Sequence, residues 1–406
     1  MPSAVDSFDP ASPTMAADRY AVLAAVRSES PVAFVPALQM WAVTGHDAVR
    51  EVLSDSWRFR SGGTYLPSQH LPAASFVVYP ADGPLWRHSM VSADDEQHRR
   101  LRTAMTRAFT MRQVRTLEPD VLADAEALAG ELFVDGPEVD LFSRFVRPLP
   151  SRTIARFFGL PIGQAPRFSG WSDAFLVPQV PGLPKGAYVA AARQYAEFDD
   201  YVRSIITGDL SDVGPGIVHD LVTGYRDGTH DLTQDELVGD IANVLFAGHE
   251  TTVSTVSTLL VRLLRDRPLW AALAAGKVNL PPLVDELLRL DTSGVGLFRR
   301  CPESTTLAGV HLPAGARLWV SFAAADRDPA AFDDPDDLQV LRPRATEAMT
   351  FGHGVHRCIG SALASTQVRI VLQVLPRLAP SLHLTGRVQE VPNFIIRTTP
   401  RLPVAL

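Results

Sequence analysis

Phe351-Gly-His-Gly-Val-His-Arg-Cys358-Ile-Gly360 is the most informative decapeptide of this 406-residue chain. Gly352 and Gly354 permit positive φ and close backbone approach, so the segment can fold tightly beneath a bulky flat object. Cys358 then stands at the start of a predicted helix, where the dipole and unpaired N–H groups favour a thiolate. A thiolate held there is a ready ligand for a soft or borderline metal. Three other uses compete at this point. His353, His356 and Cys358 offer zinc donors at an unfamiliar H-x-x-H-x-C spacing. Cys358 with a histidine partner makes a nucleophile. A lone cysteine is ordinarily a small buried thiol.

Cys301 and Cys358 are the only cysteines, which excludes a disulfide framework and a four-thiolate zinc site. The length allows two or three domains or one large one. The composition is 46% hydrophobic and 20% charged, ample for a substantial core and against general disorder. Lys+Arg 38 against Asp+Glu 45 gives a net charge of −7, the wrong sign for a global nucleic-acid binder. Asp6 and Asp9 sit where a secretory apolar core would lie. The charge-free stretch 61–81 is broken by Pro67, Pro72 and Pro80 and cannot serve as a membrane helix. The expectation is a soluble, cytoplasmic protein with neither nucleic acid nor membrane as partner.

Helical patterns dominate. One runs over 94–129, with Leu101, Met105, Phe109 and Leu117 among its apolar positions. A second is opened by a T-x-x-E capping box, Thr233 and Glu236, and runs to Pro268, about 33 residues or roughly 50 Å. Pro281 and Pro282 open a shorter helix carrying Glu286 and Arg289. A last long helix follows Cys358. Strand signals are fewer: 41–44, a hairpin of 310–312 with 317–322 across a Pro-Ala-Gly turn, and an extended 393–404. The class is mainly α with a minor β portion. Segments 61–84 and 174–188 are rich in proline and poor in charge, and read as two loops forming a lid over a buried cavity.

In the middle of the second helix lies Ala247-Gly248-His249-Glu250-Thr251-Thr252. Glycine and paired β-branched residues are poor choices for a helix interior. Ala247 and Gly248 let a flat ring approach the helix. The Thr251 hydroxyl can bond back to the Ala247 carbonyl and loosen the turn, and Glu250 supplies a group able to pass protons inward.

Phe351, Gly352, Gly354, His356, Cys358 and Gly360 together resemble the haem-binding signature of the cytochrome P-450 superfamily. That resemblance implies haem b (iron protoporphyrin IX) with the Cys358 thiolate as axial ligand and metal-binding residue. The implied fold is a triangular helical domain enclosing haem between a long distal helix and the proximal cysteine-loop helix. Residues 247–252 resemble the oxygen-activation segment of the same superfamily. By that resemblance Thr251 hydrogen-bonds dioxygen and Glu250 is the acid half of an acid–alcohol pair, with Ala247 and Gly248 beside them.

Further matches follow in chain order. His98 and Arg102 resemble the H-x-x-x-R pair that holds haem propionates. Arg299, with Arg300 as fallback, and His356 are the other implied donors. Glu286 and Arg289 fit E-x-x-R, a structural pair, with Arg342 the implied third member of its network. Arg327-Asp-Pro329, Phe332 and Asp334-Pro-Asp336 resemble the meander. The sequence departs from the superfamily pattern at Asp94-Asp-Glu-Gln97, at Ala348, and at Asp326, where asparagine is common.

The resemblance covers nearly the whole chain, so residues 1–406 are expected to form a single haem domain with no fused reductase. The function implied is a soluble bacterial-type haem-thiolate monooxygenase. It takes two electrons from a separate ferredoxin and ferredoxin reductase and oxidises a mostly apolar small organic molecule with dioxygen, in secondary-metabolite biosynthesis. Arg99, Arg100, Arg102, Arg107, Arg112 and Arg115 are the expected docking surface for an acidic ferredoxin. Phe76, Val77, Val244, Ala247, Thr251, Leu297, Phe394 and Ile395 are the implied substrate contacts. Oxidative coupling or desaturation on the same iron, and a non-catalytic haem protein, are the alternatives left open.

Overall fold

The computed structural model describes residues 3–9, 12–64, 75, 88–134, 136–179, 183–211, 213–391, 395–397 and 399–406. Among them helices dominate and strands are short, the mainly α class with a minor β portion. The chain forms two compact units: Met1–Arg60, Leu122–Val146 and Thr251–Leu406 make the first, Ser61–Val121 and Arg147–Glu250 the second.

The strands belong to the first unit. They are β1 Val32–Val35, β2 Met40–Val43, β3 Glu138–Asp140, β4 Gly296–Arg300, β5 Thr305–Leu307, β6 Val310–Leu312, β7 Arg317–Ser321, β8 His383–Leu384 and β9 Pro403–Ala405. The main sheet has the order β1-β2-β7-β4, with β2 and β7 parallel and the other pairs antiparallel. Leu318, Trp319 and Val320 of β7 are wholly buried, as a central strand covered on both faces requires. With Val43, Val49, Phe59, Leu307 and Cys301 their neighbours build the core under the sheet.

The hairpin expected from 310–312 and 317–322 does not form. β6 pairs instead with β5 in the register Leu307↔Val310, while β7 joins the main sheet. The two residues between β5 and β6, Ala308 and Gly309, both have positive φ, 47° and 80°, the signature of a two-residue primed turn. The Pro313–Gly315 stretch folds back on Cys301, with the Gly315 N–H donating to the Cys301 carbonyl at 2.7 Å.

The second unit is helical. Its core is aromatic: Trp171 meets Phe198 edge-on at 5.3 Å, and Phe175 lies 4.5 Å from Tyr195. These rings come from the helices Ala165–Leu176 and Lys185–Thr207, and a 3₁₀ turn follows at Val177–Gln179, so both described ends of 174–188 are helical and the loop reading is corrected there. Pro184 occupies the N-cap of the second of these helices, where a missing N–H costs nothing. Of 61–84 only Ser61–Thr64 and Ser75 are described; the expected lid lies outside the described residues.

The helix expected over 94–129 is two helices, Asp95–Ala108 and Met111–Gly130. Thr110 and Gln113 make a reciprocal capping box: the Thr110 N–H donates to Gln113 Oε1 at 2.9 Å and the Gln113 N–H to Thr110 Oγ1 at 3.3 Å. That box restarts the helix. The long helix is Gln234–Arg265. Its cap is made as the sequence indicates, with the Thr233 N–H donating to Glu236 Oε2 at 2.9 Å and the Glu236 N–H to Thr233 Oγ1 at 3.2 Å. It ends because Asp266 caps the next helix, Oδ1 accepting from the Leu269 N–H at 3.0 Å, and Pro268 falls in that helix's first turn. Of 393–404, Ile396 bridges to Gly294 and β9 pairs with β3 and β8. Among the described residues, no helix is long and apolar enough to cross a membrane.

Candidate active site

The two thiols occupy opposite environments. Cys301 is fully buried, and desolvation pushes it up to about 11 despite the charge of Arg58. It is held as a neutral thiol. Cys358 is exposed, on a loop shaped by the glycines the sequence singled out. Met349–Phe351 is one 3₁₀ turn, closed by the Gly352 N–H donating to the Met349 carbonyl at 2.7 Å. Gly352 has φ 66°, and nothing lies within 4 Å of where a Cβ would stand, so the backbone there faces open space. Gly354 has φ 68°, and a Cβ would lie 2.1 Å from the Leu53 carbonyl oxygen. Only glycine lets the loop rest against the helix His46–Ser54. The Cys358 N–H donates to the Phe351 carbonyl at 2.8 Å, and the helix Ser361–Leu378 follows with Gly360 as its N-cap. Phe351, His356 and Gly360 are half-buried. Among the described residues no group of three His, Cys, Asp or Glu side chains is gathered closely enough to hold a metal ion.

Behind the loop stands a buried ionic brace. Glu286 receives Arg289 Nε at 2.8 Å and Nη2 at 2.9 Å, and Arg342 Nε at 2.8 Å. Burial opposes ionisation of Glu286, but the bonds from Arg289, Arg342 and the Gln339 N–H outweigh it and hold the carboxyl below its usual range. Arg289 also donates to the carbonyls of Asp326 and Pro335 at 2.7 and 2.8 Å, and Arg342 to those of Asp334 and Asp337 at 3.0 and 2.8 Å. Three side chains thereby fix the irregular backbone of 326–342, whose carbonyls would otherwise be buried without donors.

Asp326 ties this meander to the cysteine loop. Its carboxyl takes the Met349 N–H and lies 2.9 Å from Thr350 Oγ1. The sequence marked Asp326 only as a departure and gave no sign of that contact.

On the long helix, Ala247 is exposed and Thr251 half-buried, whereas residues 241–245 and 252–260 are buried. A helix buried on both sides of a small exposed residue presents a local opening. At Gly248 a Cβ would lie 2.5 Å from Ile154 Cδ1, so the glycine admits the neighbouring helix Pro148–Phe158. The Thr251 carbonyl accepts from Thr255 Oγ1 at 2.7 Å, one turn on. Glu250 is largely buried, and its Oε1 is 2.8 Å from His249 Nδ1. The sequence motifs give no role to His249, whose Nε2 partners come from other helices. They also leave out Asp240, a fully buried carboxyl two turns earlier, which accepts the Met90 N–H at 2.6 Å and is pushed up to about 7 by desolvation.

His98 is buried and Arg102 half-buried on the helix Asp95–Ala108. Arg299 is buried and Arg300 half-buried on β4, and Arg299 Nη1 donates to the Phe298 carbonyl at 2.7 Å. Of the implied substrate contacts, Val244 is buried on the long helix, Leu297 packs against the sheet core, and the Ile395 carbonyl accepts the Val295 N–H at 2.8 Å. Phe76, Val77 and Phe394 lie outside the described residues.

The arginines of the expected docking surface differ in exposure. Arg100 is half-buried and clamped on Glu236, and Arg102 is half-buried. Arg99, Arg107, Arg112 and Arg115 are exposed, Arg99 paired with Glu96.

Comparison with known proteins fixes the class. The sequence profile described as Cytochrome P450 matches residues 280–378, which hold the brace, the meander and the cysteine loop. The chain is 33% identical over 399 residues to the cytochrome P450 monooxygenase PikC of Streptomyces venezuelae, covering 96% of this chain and 91% of that protein. It is 32% identical over 367 residues to pentalenic acid synthase of Streptomyces avermitilis, covering 90% and 87%. Among solved structures, cytochrome P450 CREJ in complex with (4-ethylphenyl) dihydrogen phosphate superposes with a TM-score of 0.91 at 26% identity, covering 99% of each chain. The chain belongs to the cytochrome P450 family. It is a cytochrome P450 monooxygenase of the bacterial type, an oxidoreductase whose cofactor is haem b bound through a cysteine thiolate.

Proposed function

We propose that Cys358 is the thiolate that binds the haem iron, within a single haem domain spanning 1–406, and that the enzyme oxidises a mostly apolar small molecule. The contrast between the two cysteines carries this reading: Cys301 is sealed in the sheet core, whereas Cys358 is exposed between backbone turns that only glycine permits. The donor chemistry fits the group. The Cys358 thiolate would bind the iron, and His98, Arg102, Arg299 (or Arg300) and His356 would supply cationic donors for two propionates. Bound there, haem b activates dioxygen and delivers one oxygen atom to the substrate. Thr251 offers its hydroxyl at the opening beside Ala247, and Glu250 holds the proton that Thr251 passes on. Val244, Ala247, Leu297 and Ile395 are the described residues assigned to contact the substrate in this reading. Gly248 acts on this site indirectly, by fixing the helix against Ile154.

Electrons come in the cytoplasm from a separate ferredoxin and its reductase, with Arg99, Arg107, Arg112 and Arg115 as the exposed cations offered to an acidic partner. The related proteins include mycinamicin IV hydroxylase/epoxidase of Micromonospora griseorubida and vitamin D(3) 25-hydroxylase of Pseudonocardia autotrophica. These names support hydroxylation of an organic small molecule of the kind they print, a mycinamicin or vitamin D(3), within secondary metabolism. The test is a panel of such compounds titrated into the ferric protein, scored by spin-state shift and then by product mass. A gain of one oxygen supports the proposal. A loss of two hydrogens identifies coupling or desaturation instead, and no shift with any apolar compound overturns the substrate class.

A further inference from the structure

His249 lies inside the second unit with 1% of its side chain exposed, yet every ring nitrogen has a polar neighbour. Nδ1 is 2.8 Å from Glu250 Oε1, although adjacent helix residues do not normally face each other. Nε2 is 2.9 Å from Ser151 Oγ and 3.3 Å from Ser169 Oγ. The outer bonds fix the direction of the inner ones. Arg147 Nε donates to Ser169 Oγ at 2.7 Å, so the Ser169 proton points away from Arg147, toward His249 Nε2. Ser151 Oγ donates to the Arg147 carbonyl at 2.8 Å, so toward His249 it can only accept. Nε2 therefore has a donor on one side and an acceptor on the other. The ring is satisfied neutral, with Ser169 donating to Nε2, or as the cation, with Nε2–H donating to Ser151. In both states Nδ1–H donates to Glu250, and no ring movement is needed.

We propose that His249 is the positioning residue for Glu250, holding its carboxylate in one orientation through a buried polar chain of Ser151, Ser169 and Arg147 that ends at Asp173. The inference rests on the reading of Glu250 as the acid of the site. The charged and titratable groups facing this cluster are Glu250 on the long helix, Arg147 before the helix Pro148–Phe158, and Asp173 on the helix Ala165–Leu176. Asp173 is the outer end: it pairs with Arg147 and its side chain is 48% exposed. A histidine that merely filled space would be indifferent to its neighbours' charges. This one is joined to an acid on one side and to a solvent-facing ion pair on the other.

The test uses the haem-loaded protein in its diamagnetic ferrous carbon monoxide form, with two readouts. The first is the low-field imidazole N–H resonance, expected in the wild type, absent in His249→Gln, and shifted in Glu250→Gln and Ser169→Ala. The second is the infrared stretch of carbon monoxide, which senses charge and orientation of polar groups facing it. His249→Gln and Ser169→Ala are expected to move that band in the same direction as Glu250→Gln, with unchanged melting temperature for Ser169→Ala. If Glu250→Gln moves the band and the His249 and Ser169 variants do not, the positioning role is overturned and the acid reading stands. If no variant moves it, the acid reading fails and takes this inference with it. A low-field resonance unaffected by Glu250→Gln also overturns the proposal.

Discussion

Replacing Asp326 by asparagine tests whether the link between meander and cysteine loop is neutral. Asp326 is fully buried, its Oδ1 accepts the Met349 N–H, and its Oδ2 lies 2.9 Å from Thr350 Oγ1. Thr350 has a single hydroxyl proton, and the Leu288 carbonyl lies 2.8 Å from the same oxygen. A protonated Asp326 that donates to Thr350, while Thr350 donates to Leu288, satisfies all three. Desolvation pushes this carboxyl up from 3.8 to about 7 against the opposing hydrogen bonds from Met349 and Thr350. Its folded pKa is thus above the unfolded one. The stability it contributes is fully present below about pH 4 and is lost as pH rises toward 7. A difference of about 3 pKa units at about 1.4 kcal/mol each sets a ceiling of about 4 kcal/mol.

Asp326→Asn keeps the shape, accepts from Met349, donates to Thr350 and never ionises. Its advantage over the wild type is therefore near zero at pH 4, under about 2 kcal/mol at pH 5, and at its ceiling above pH 7. With an unfolding entropy of about 2 cal/mol/K per residue, the ceiling corresponds to about 5 °C in melting temperature. Melting of both haem-loaded proteins, followed by circular dichroism at pH 5, 6, 7 and 8, reads the effect. A difference that does not grow with pH, or a variant less stable at pH 8, would refute the reasoning, because it would mean that the negative charge of Asp326 is used.

Glu286→Gln leaves Arg289 and Arg342 buried with no counter-charge and is expected to cost about 3–5 kcal/mol, seen as a lower melting temperature and poor haem retention. Gly354→Ala must adopt a left-handed conformation at about 1–3 kcal/mol and moves the loop off the Leu53 carbonyl. The fraction of protein with thiolate-ligated ferrous carbon monoxide absorption should fall severalfold. Gly248→Ala overpacks against Ile154 at about 1–3 kcal/mol, and adding Ile154→Val should restore most of the lost melting temperature.

The cysteine loop was legible because its chemistry is local: two glycines, a cysteine and a helix start lie within ten residues. The Thr233–Glu236 cap and the Glu286–Arg289 pair were legible for the same reason, being spaced three apart on single helices. Helical periodicity over 94–129 hid the break at Thr110, because the apolar stripe continues through the junction and only the T-x-x-Q pattern marks it. The hairpin was misassigned because Pro-Ala-Gly outweighed the adjacent Ala308-Gly309, whose paired positive φ values set the register. Pro178 and Pro184 read as loop but stand at helix boundaries. The contacts of His249 and Asp326 were out of reach, since each is made by residues from two or more separate elements.

Everything above turns on the Cys358 thiolate as the haem ligand. The most direct measurement is the absorption difference spectrum of the purified protein, reduced and exposed to carbon monoxide, beside Cys358→His and Cys301→Ser. The strongly red-shifted Soret band of thiolate-ligated ferrous haem is expected in the wild type and Cys301→Ser, and a histidine-type band in its place in Cys358→His. A histidine-type band in the wild type, or a thiolate band that survives in Cys358→His, would contradict ligation by Cys358.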